Sequence, residues 1–213
     1  MELSEKGKRL IKMYAQMAEQ GYSRTDGVEI KDAFSDFEIR FYRGFIKPIL
    51  LDYEVKSILD YGTGGADWER ENFDDNGQSA KVYFSLEEAY KYEPARNIDQ
   101  RQCVDCVICF DVLEHIYIVD IKAIICDLFR YAKKLLIINV ACYSAAAKLP
   151  NGENAHITVR SPHWWKGVLD SISIDYPDVS VLLLCSTAWR DTRKFEIWSA
   201  SEWNNGEQFV ING

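Results

Sequence analysis

No stretch of the 213 residues is long and apolar enough to read as a membrane span. The longest apolar runs, Val104–Phe110 and Leu135–Cys142, stop far short of the roughly 20 residues a span needs. The charged start, Met1-Glu-Leu-Ser-Glu-Lys-Gly-Lys-Arg9, leads into no signal-type apolar segment, so a cytoplasmic location is expected. Positive charge is also short. Lys and Arg number 25 against 33 Asp and Glu, a net of −8. That balance lacks the basic face a nucleic-acid duplex selects, so no duplex partner is expected. The five prolines are scattered, and neither a low-complexity tract nor an internal repeat is present. What remains is a chain 47% hydrophobic and 13% aromatic, too rich to be disordered and long enough for one well-buried core.

Six cysteines invite a metal reading, because Cys103, Cys106 and Cys109 form a C-x2-C-x2-C spacing. Here, however, they lie in Gln-Cys-Val-Asp-Cys-Val-Ile-Cys-Phe-Asp, which reads as a buried strand. Alternation on a strand points Cys106 away from the other two, and no Cys-Pro follows to supply a fourth ligand. They are read as small buried apolar residues of a reduced protein, and no metal ligand set is assigned in the chain.

The first 52 residues read as a helical cap belonging to the same domain as the rest. Leu10, Tyr14 and Met17 form an apolar stripe at helical spacing, and Gly21 to Gly27 is a polar break. Ser35-Asp-Phe-Glu38 has the form of a capping box, opening a second helix with Phe37, Phe41 and Phe45 on one face. Pro48 is expected to kink or end it. Residues 53–213 then alternate strands and helices. The expected strands are Val55–Asp60, Val104–Phe110 and Leu135–Cys142. A helix over Ile118–Ala132 ends in Lys133 and Lys134, and another opens at Ser161-Pro162. Val179–Cys185 and Lys194–Ser199, flanking Arg190-Asp-Thr-Arg193, read as a closing antiparallel hairpin. The whole pattern predicts an α/β fold with a mostly parallel sheet.

The turn after the first of these strands carries the chemistry. Glycines 62, 64 and 65 let backbone N–H groups approach a ligand, and a helix N-terminus is expected beyond them. A dinucleotide fingerprint would need glycine where Asp67 stands, and a phosphate loop would need a Gly-Lys-Ser/Thr that is missing. Asp60 instead precedes Gly62 by two residues, an acid placed to pair with a cationic amine. A second stretch reads Val107-Ile-Cys-Phe-Asp111-Val-Leu-Glu-His115-Ile.

Together these two stretches resemble the class I, Rossmann-like methyltransferases that use S-adenosylmethionine (SAM), especially their small-molecule branch. The resemblance covers about residues 55 to 165. It implies a Rossmann-like sheet, SAM as methyl donor with S-adenosylhomocysteine as product, and a small-molecule methyl acceptor with an oxygen or nitrogen nucleophile. Carried over residue by residue, it places Asp60, Gly62, Gly64 and Gly65 at the methionine end of the cofactor. Ala66 stands where the family usually has another glycine. Glu93, in Tyr-Lys-Tyr-Glu-Pro-Ala, fits the acid that takes the ribose hydroxyls, with Glu87 or Glu88 the alternatives if Lys81–Ser85 is the strand. Pro94 would border the adenine, and Phe110, Asp111 and Val112 would lie beside the cofactor at the strand end. Only 18 positions separate Glu93 from Asp111, too few for the family's third strand and helix, so that unit is expected to be reduced.

For catalysis, the loop Leu149–Arg160 offers His156 as general base, with Asn154 and Arg160 orienting the acceptor and His115 as the second candidate. A noncatalytic SAM- or nucleoside-binding domain, or a protein-interaction domain, keeping the same fold is the alternative reading.

Overall fold

The computed structural model describes residues 2–31 and 34–202, together with the backbone of 208–212. Helix α1 (Glu5–Gln20) is capped by Ser4, whose hydroxyl accepts the Gly7 N–H, and it stops at Gly21, whose left-handed φ of 78° turns the chain away. A minimal antiparallel pair, β1 (Tyr22–Ser23) and β2 (Glu29–Ile30), fills the polar break.

Helix α2 (Phe37–Asp52) departs from the expected capping box. Its cap is Asp36, which makes no side-chain capping bond, because its carboxylate is taken by Arg40 Nε at 2.8 Å. Glu38 turns elsewhere, as described below. The buried face is Ile39, Tyr42, Ile46 and Leu50 rather than the phenylalanines, and the helix runs through Pro48 for one more turn.

The parallel sheet follows. Strands β3 (Ser57–Tyr61), β4 (Glu88–Glu93), β6 (Val104–Phe110), β7 (Ala132–Ala141) and β8 (Ser180–Ala188) are mutually parallel, while β5 (Ile98–Asp99), β9 (Asp191–Phe195) and β10 (Gln208–Asn212) pair antiparallel. Their order is β10-β9-β8-β7-β6-β3-β4-β5. The chain winds one way from β3 and the other way from β6, so the strand order reverses between these neighbours. That reversal opens a crevice at their carboxyl ends. This is an α/β architecture compatible with a Rossmann-like fold.

Four local expectations are corrected. No helix follows the glycine turn: residues 62–79 are turns and bends, and the next helix, α3 (Ala80–Tyr83), is one turn long. Asp67, Asp74, Asp75, Asn76 and Gly77 make that segment turn-rich. The α3 assignment also removes Lys81–Ser85 as a strand and leaves Glu93 as the last residue of β4. Lys133 and Lys134 are not a helix end, because β7 begins directly after α4 (Ile118–Tyr131). The closing hairpin turns at Trp189-Arg190, with Arg190 at φ 61°, so Asp191–Arg193 belong to β9.

Between Glu93 and β6 the third unit is reduced to one 3-10 turn, Pro94–Arg96, and the two-residue β5. Helix α4 and helix α5 (Pro162–Ser173) cover one sheet face, and α2 covers the other. Cys109 packs into the first face and Cys106 into the second, as the alternation predicts. Cys103 is exposed ahead of the strand instead of buried within it.

Candidate functional site

A cavity of about 900 Å³ occupies the crevice at the strand ends. Its floor is the β3 and β4 termini with Phe110, Asp111 and Val112 after β6; its walls are α1, the start of α2 and the loop 143–156. Helix α1 is fixed across the opening. The Ser4 N–H and hydroxyl both donate to Asp120 at 2.7 Å, and Tyr14 reaches His115 at 2.6 Å.

Asp60, Gly62, Gly64, Glu93 and Pro94 are brought together on one wall. Asp60 is fully buried and accepts the Thr63 hydroxyl at 2.7 Å and the Trp68 indole N–H at 2.9 Å. Burial pushes its carboxyl up to about 6, with the two donors opposing that rise. Glu93 accepts the Gly64 N–H on one oxygen at 2.9 Å and the Ala95 N–H on the other at 3.0 Å. Burial raises it as well, against those two bonds. Each carboxylate oxygen has two lone pairs, so Glu93 retains one acceptor site per oxygen. Gly62, at φ 85°, could not carry a side chain, because a Cβ would lie 2.3 Å from Val112 Cγ2. At Gly64, φ 56°, a Cβ would meet the Phe34 carbonyl at 2.7 Å. The glycines thus allow close packing against Val112 and Phe34. Gly65 is outside the lining and donates to Phe34 O at 2.7 Å.

Asp111 follows β6 at φ 55°, a left-handed conformation that bends the chain into the cavity. Burial alone would raise its carboxyl, but the neighbouring His115, with Nε2 3.9 Å away, and the charge of His156 hold it at about 2. Glu114 lies just behind it with no exposed surface. Its Oε1 accepts the Ala141 N–H, and its Oε2 has no hydrogen-bond donor among the described residues. Burial, followed by the charge of Asp111, drives this carboxyl far above its ordinary range.

His156 sits in the cavity wall with Nδ1 at 2.5 Å from the Tyr143 carbonyl. Burial and then the neighbouring His115 lower its pKa, which keeps the ring neutral near pH 7. A carbonyl only accepts, so Nδ1 carries the proton and Nε2 the lone pair. Asn154 does not join the lining. It clamps its own loop, accepting the Ala145 and His156 N–H groups and donating to Ala145 O. Arg160 also lies outside the lining, exposed, against Trp164.

Several lining residues escaped sequence reasoning. Glu38 projects from α2 into the cavity, and burial raises it to about 7. Trp189, at the hairpin turn, stacks on Phe37 at 5.5 Å and flanks the mouth. Tyr14, Phe34 and Tyr143 complete an aromatic rim. Only the local grammar of Glu38 was visible, and it suggested a cap. The cavity is acidic: among the described residues Asp36, Glu38, Asp60, Glu93, Asp111 and Asp120 line it against the Arg24 guanidinium, Asp36 being paired with Arg40. Such a chamber selects cationic ligands. Comparison of the chain with protein-family models, with curated proteins and with solved structures finds no match.

Proposed function

We propose that this chain is a SAM-dependent methyltransferase acting on a small-molecule acceptor. The observation that carries the reading is the meeting of Asp60 and Glu93, acids from two neighbouring strand ends, on one wall of an acidic cavity. The donor set suits the cofactor. Asp60 would pair with the methionyl ammonium, and Glu93 would accept the ribose hydroxyls on its two remaining acceptor sites. Pro94 and Ala95 would border the adenine, and Phe110 to Val112 would face the ligand from the end of β6. When bound, SAM supplies a methyl group made electrophilic by a sulfonium. The chain's own residues bind, orient and exclude water, and the aromatic rim would narrow the acceptor's approach. While its lone pair is free, His156 Nε2 is the candidate acceptor for the nucleophile's proton.

The missing helix after the glycine turn favours a second reading, a domain that binds SAM or a nucleoside without turnover. Calorimetry with SAM and with S-adenosylhomocysteine tests both. Saturable heat with each, reduced in Glu93→Ala, supports the site. Release of homocysteine-containing product in the presence of acceptors separates enzyme from binder. No heat with either compound sinks the reading.

A further inference from the structure

Beside the proposed cofactor wall, Asp111, Glu114, His115 and His156 each place a ligand-capable atom so that all four lie within 4.8 Å of one another. Core packing does not explain two features of this group. The first is Glu114 Oε2, a carboxylate oxygen with no partner in a side chain that has no exposed surface. Unless it carries a proton toward the neighbouring Asp111 carboxylate, such an atom has lost its water without a partner. The second is the way the imidazoles are held. His115 Nδ1 lies 3.0 Å from the Ala155 carbonyl, and His156 Nδ1 lies 2.5 Å from that of Tyr143. The Tyr143 carbonyl demands a proton on His156 Nδ1, and a proton on His115 Nδ1 would satisfy both the Ala155 carbonyl and the Tyr14 hydroxyl oxygen at 2.6 Å; that tautomer leaves both Nε2 lone pairs free, and His115 Nε2 faces Asp111 Oδ2 at 3.9 Å. An outer N–H anchored on a carbonyl is how proteins fix the tautomer of a metal-binding histidine.

We propose that Asp111, Glu114, His115 and His156 form a binding site for a divalent first-row transition-metal ion. Two imidazoles and two carboxylates are a mixed nitrogen and oxygen set, which suits manganese through zinc better than magnesium or calcium, whose sites are built from oxygen. Nitrogen and oxygen ligands bind such ions at about 2.0–2.2 Å, so ligands in one shell stand roughly 3–4 Å apart. The most widely separated pair of the group therefore needs to close by about 1–2 Å. Its parts come from separate places in the chain. Asp111 is aimed by its left-handed backbone, Glu114 and His115 by the 3-10 turn Leu113–His115, and His156 by the loop that Asn154 clamps. Asp111 and His156 both line the cavity, so coordination positions left open by the protein would face it and accept water or a ligand oxygen. The sequence reading looked for ligands among the cysteines, where strand alternation divides them, and assigned none.

The site does not depend on the methyltransferase reading and can be tested without SAM. Chelator-stripped protein titrated with Co2+ should take up one equivalent per chain with a dissociation constant below about 10 µM, showing visible ligand-field bands. Two paramagnetically shifted, exchangeable imidazole N–H signals should appear in the wild-type protein, one from each Nδ1. His156→Ala and Glu114→Gln should each weaken binding at least tenfold. Glu114→Gln keeps an oxygen to accept the Ala141 N–H, and thermal unfolding checks that it folds. Less than a tenth of an equivalent bound at 100 µM Co2+ would overturn the proposal. Full binding that survives both substitutions, or a thiolate-to-cobalt charge-transfer band placing the ion on cysteine, would do the same.

Discussion

The two ends of the parallel sheet treat their acids in opposite ways. At the amino end, Asp105 of β6 accepts the Lys56 N–H at 2.8 Å and the Ser57 N–H at 3.1 Å, and meets Lys134 Nζ at 3.4 Å. Burial pushes its carboxyl up, yet those partners outweigh it and hold the group below its ordinary range. At the carboxyl end, Asp60, Glu93 and Glu114 are raised above theirs, as is Glu38 across the cavity, and only Asp111, beside two histidines, is held low. Asp105 stitches β3 to β6 and stabilises the fold by being charged. The four raised acids cost the fold stability, because each is held where ionisation is penalised. An acid that destabilises its own protein is the kind a ligand would complete.

Substitutions can break this comparison, and the largest effect belongs to Gly62→Val. A branched side chain at φ 85°, with its Cβ at 2.3 Å from Val112, should cost about 3 kcal/mol or more in denaturant unfolding and abolish SAM binding. Glu93→Ala should weaken SAM binding about 100-fold by calorimetry, through loss of a charged acceptor, whereas Asp105→Asn should leave that affinity unchanged. Equal effects of the two would erase the distinction between the ends of the sheet.

A pH series sharpens it. If ionised Asp60 holds the methionyl ammonium, SAM affinity should fall about tenfold per pH unit below about 6 and level off above it. Asp60→Asn should flatten that limb of the profile. For stability the signs oppose each other. Glu38 rises from 4.5 to about 7 on folding, so the unfolded chain releases its proton first and stability is lost as pH climbs through that window. Glu38→Gln should therefore gain about 1–2 kcal/mol over the native chain at pH 8 and nothing at pH 4. The smallest effect is Asp105→Asn, whose folded pKa is depressed. It should lose less than about 1 kcal/mol at pH 7, with the deficit vanishing as pH falls below 3.8.

Where one physical effect dominated, sequence patterns located the structure closely. Val104–Phe110 is β6 to the residue, because six of its seven residues are buried, on both faces, and leave no periodicity to misread. Ser161-Pro162 opened α5 as expected, since cap and fixed φ act locally. Glu93 fell at the end of β4 for a comparable reason: proline follows and stops the strand. The failures share a long-range cause. Glu38 matched a capping box, but Arg40 claimed the cap carboxylate of Asp36 and left Glu38 to the cavity. Nothing local to Glu114 marks it as buried; its partner there is the Ala141 N–H, 27 positions on. The helix expected after Gly64 is missing because Asp60 draws Thr63 and Trp68 inward and turn-forming residues follow.

The clasp of α1 over the crevice also sets the order in which this chamber can be assembled. Tyr14 touches His115 and Ala155, residues 101 and 141 positions away, and Tyr42 on α2 bonds Thr192 across 150. Such contacts close very long loops, so their entropy is lost before any reward arrives, and chains dominated by them fold slowly. During synthesis the amphipathic α1 and α2 leave the ribosome before the sheet does and wait with their apolar faces unpaired while most of it is still to be translated. The chamber is therefore among the last features to form, and its earliest-made wall is the part most exposed to chaperones and proteases.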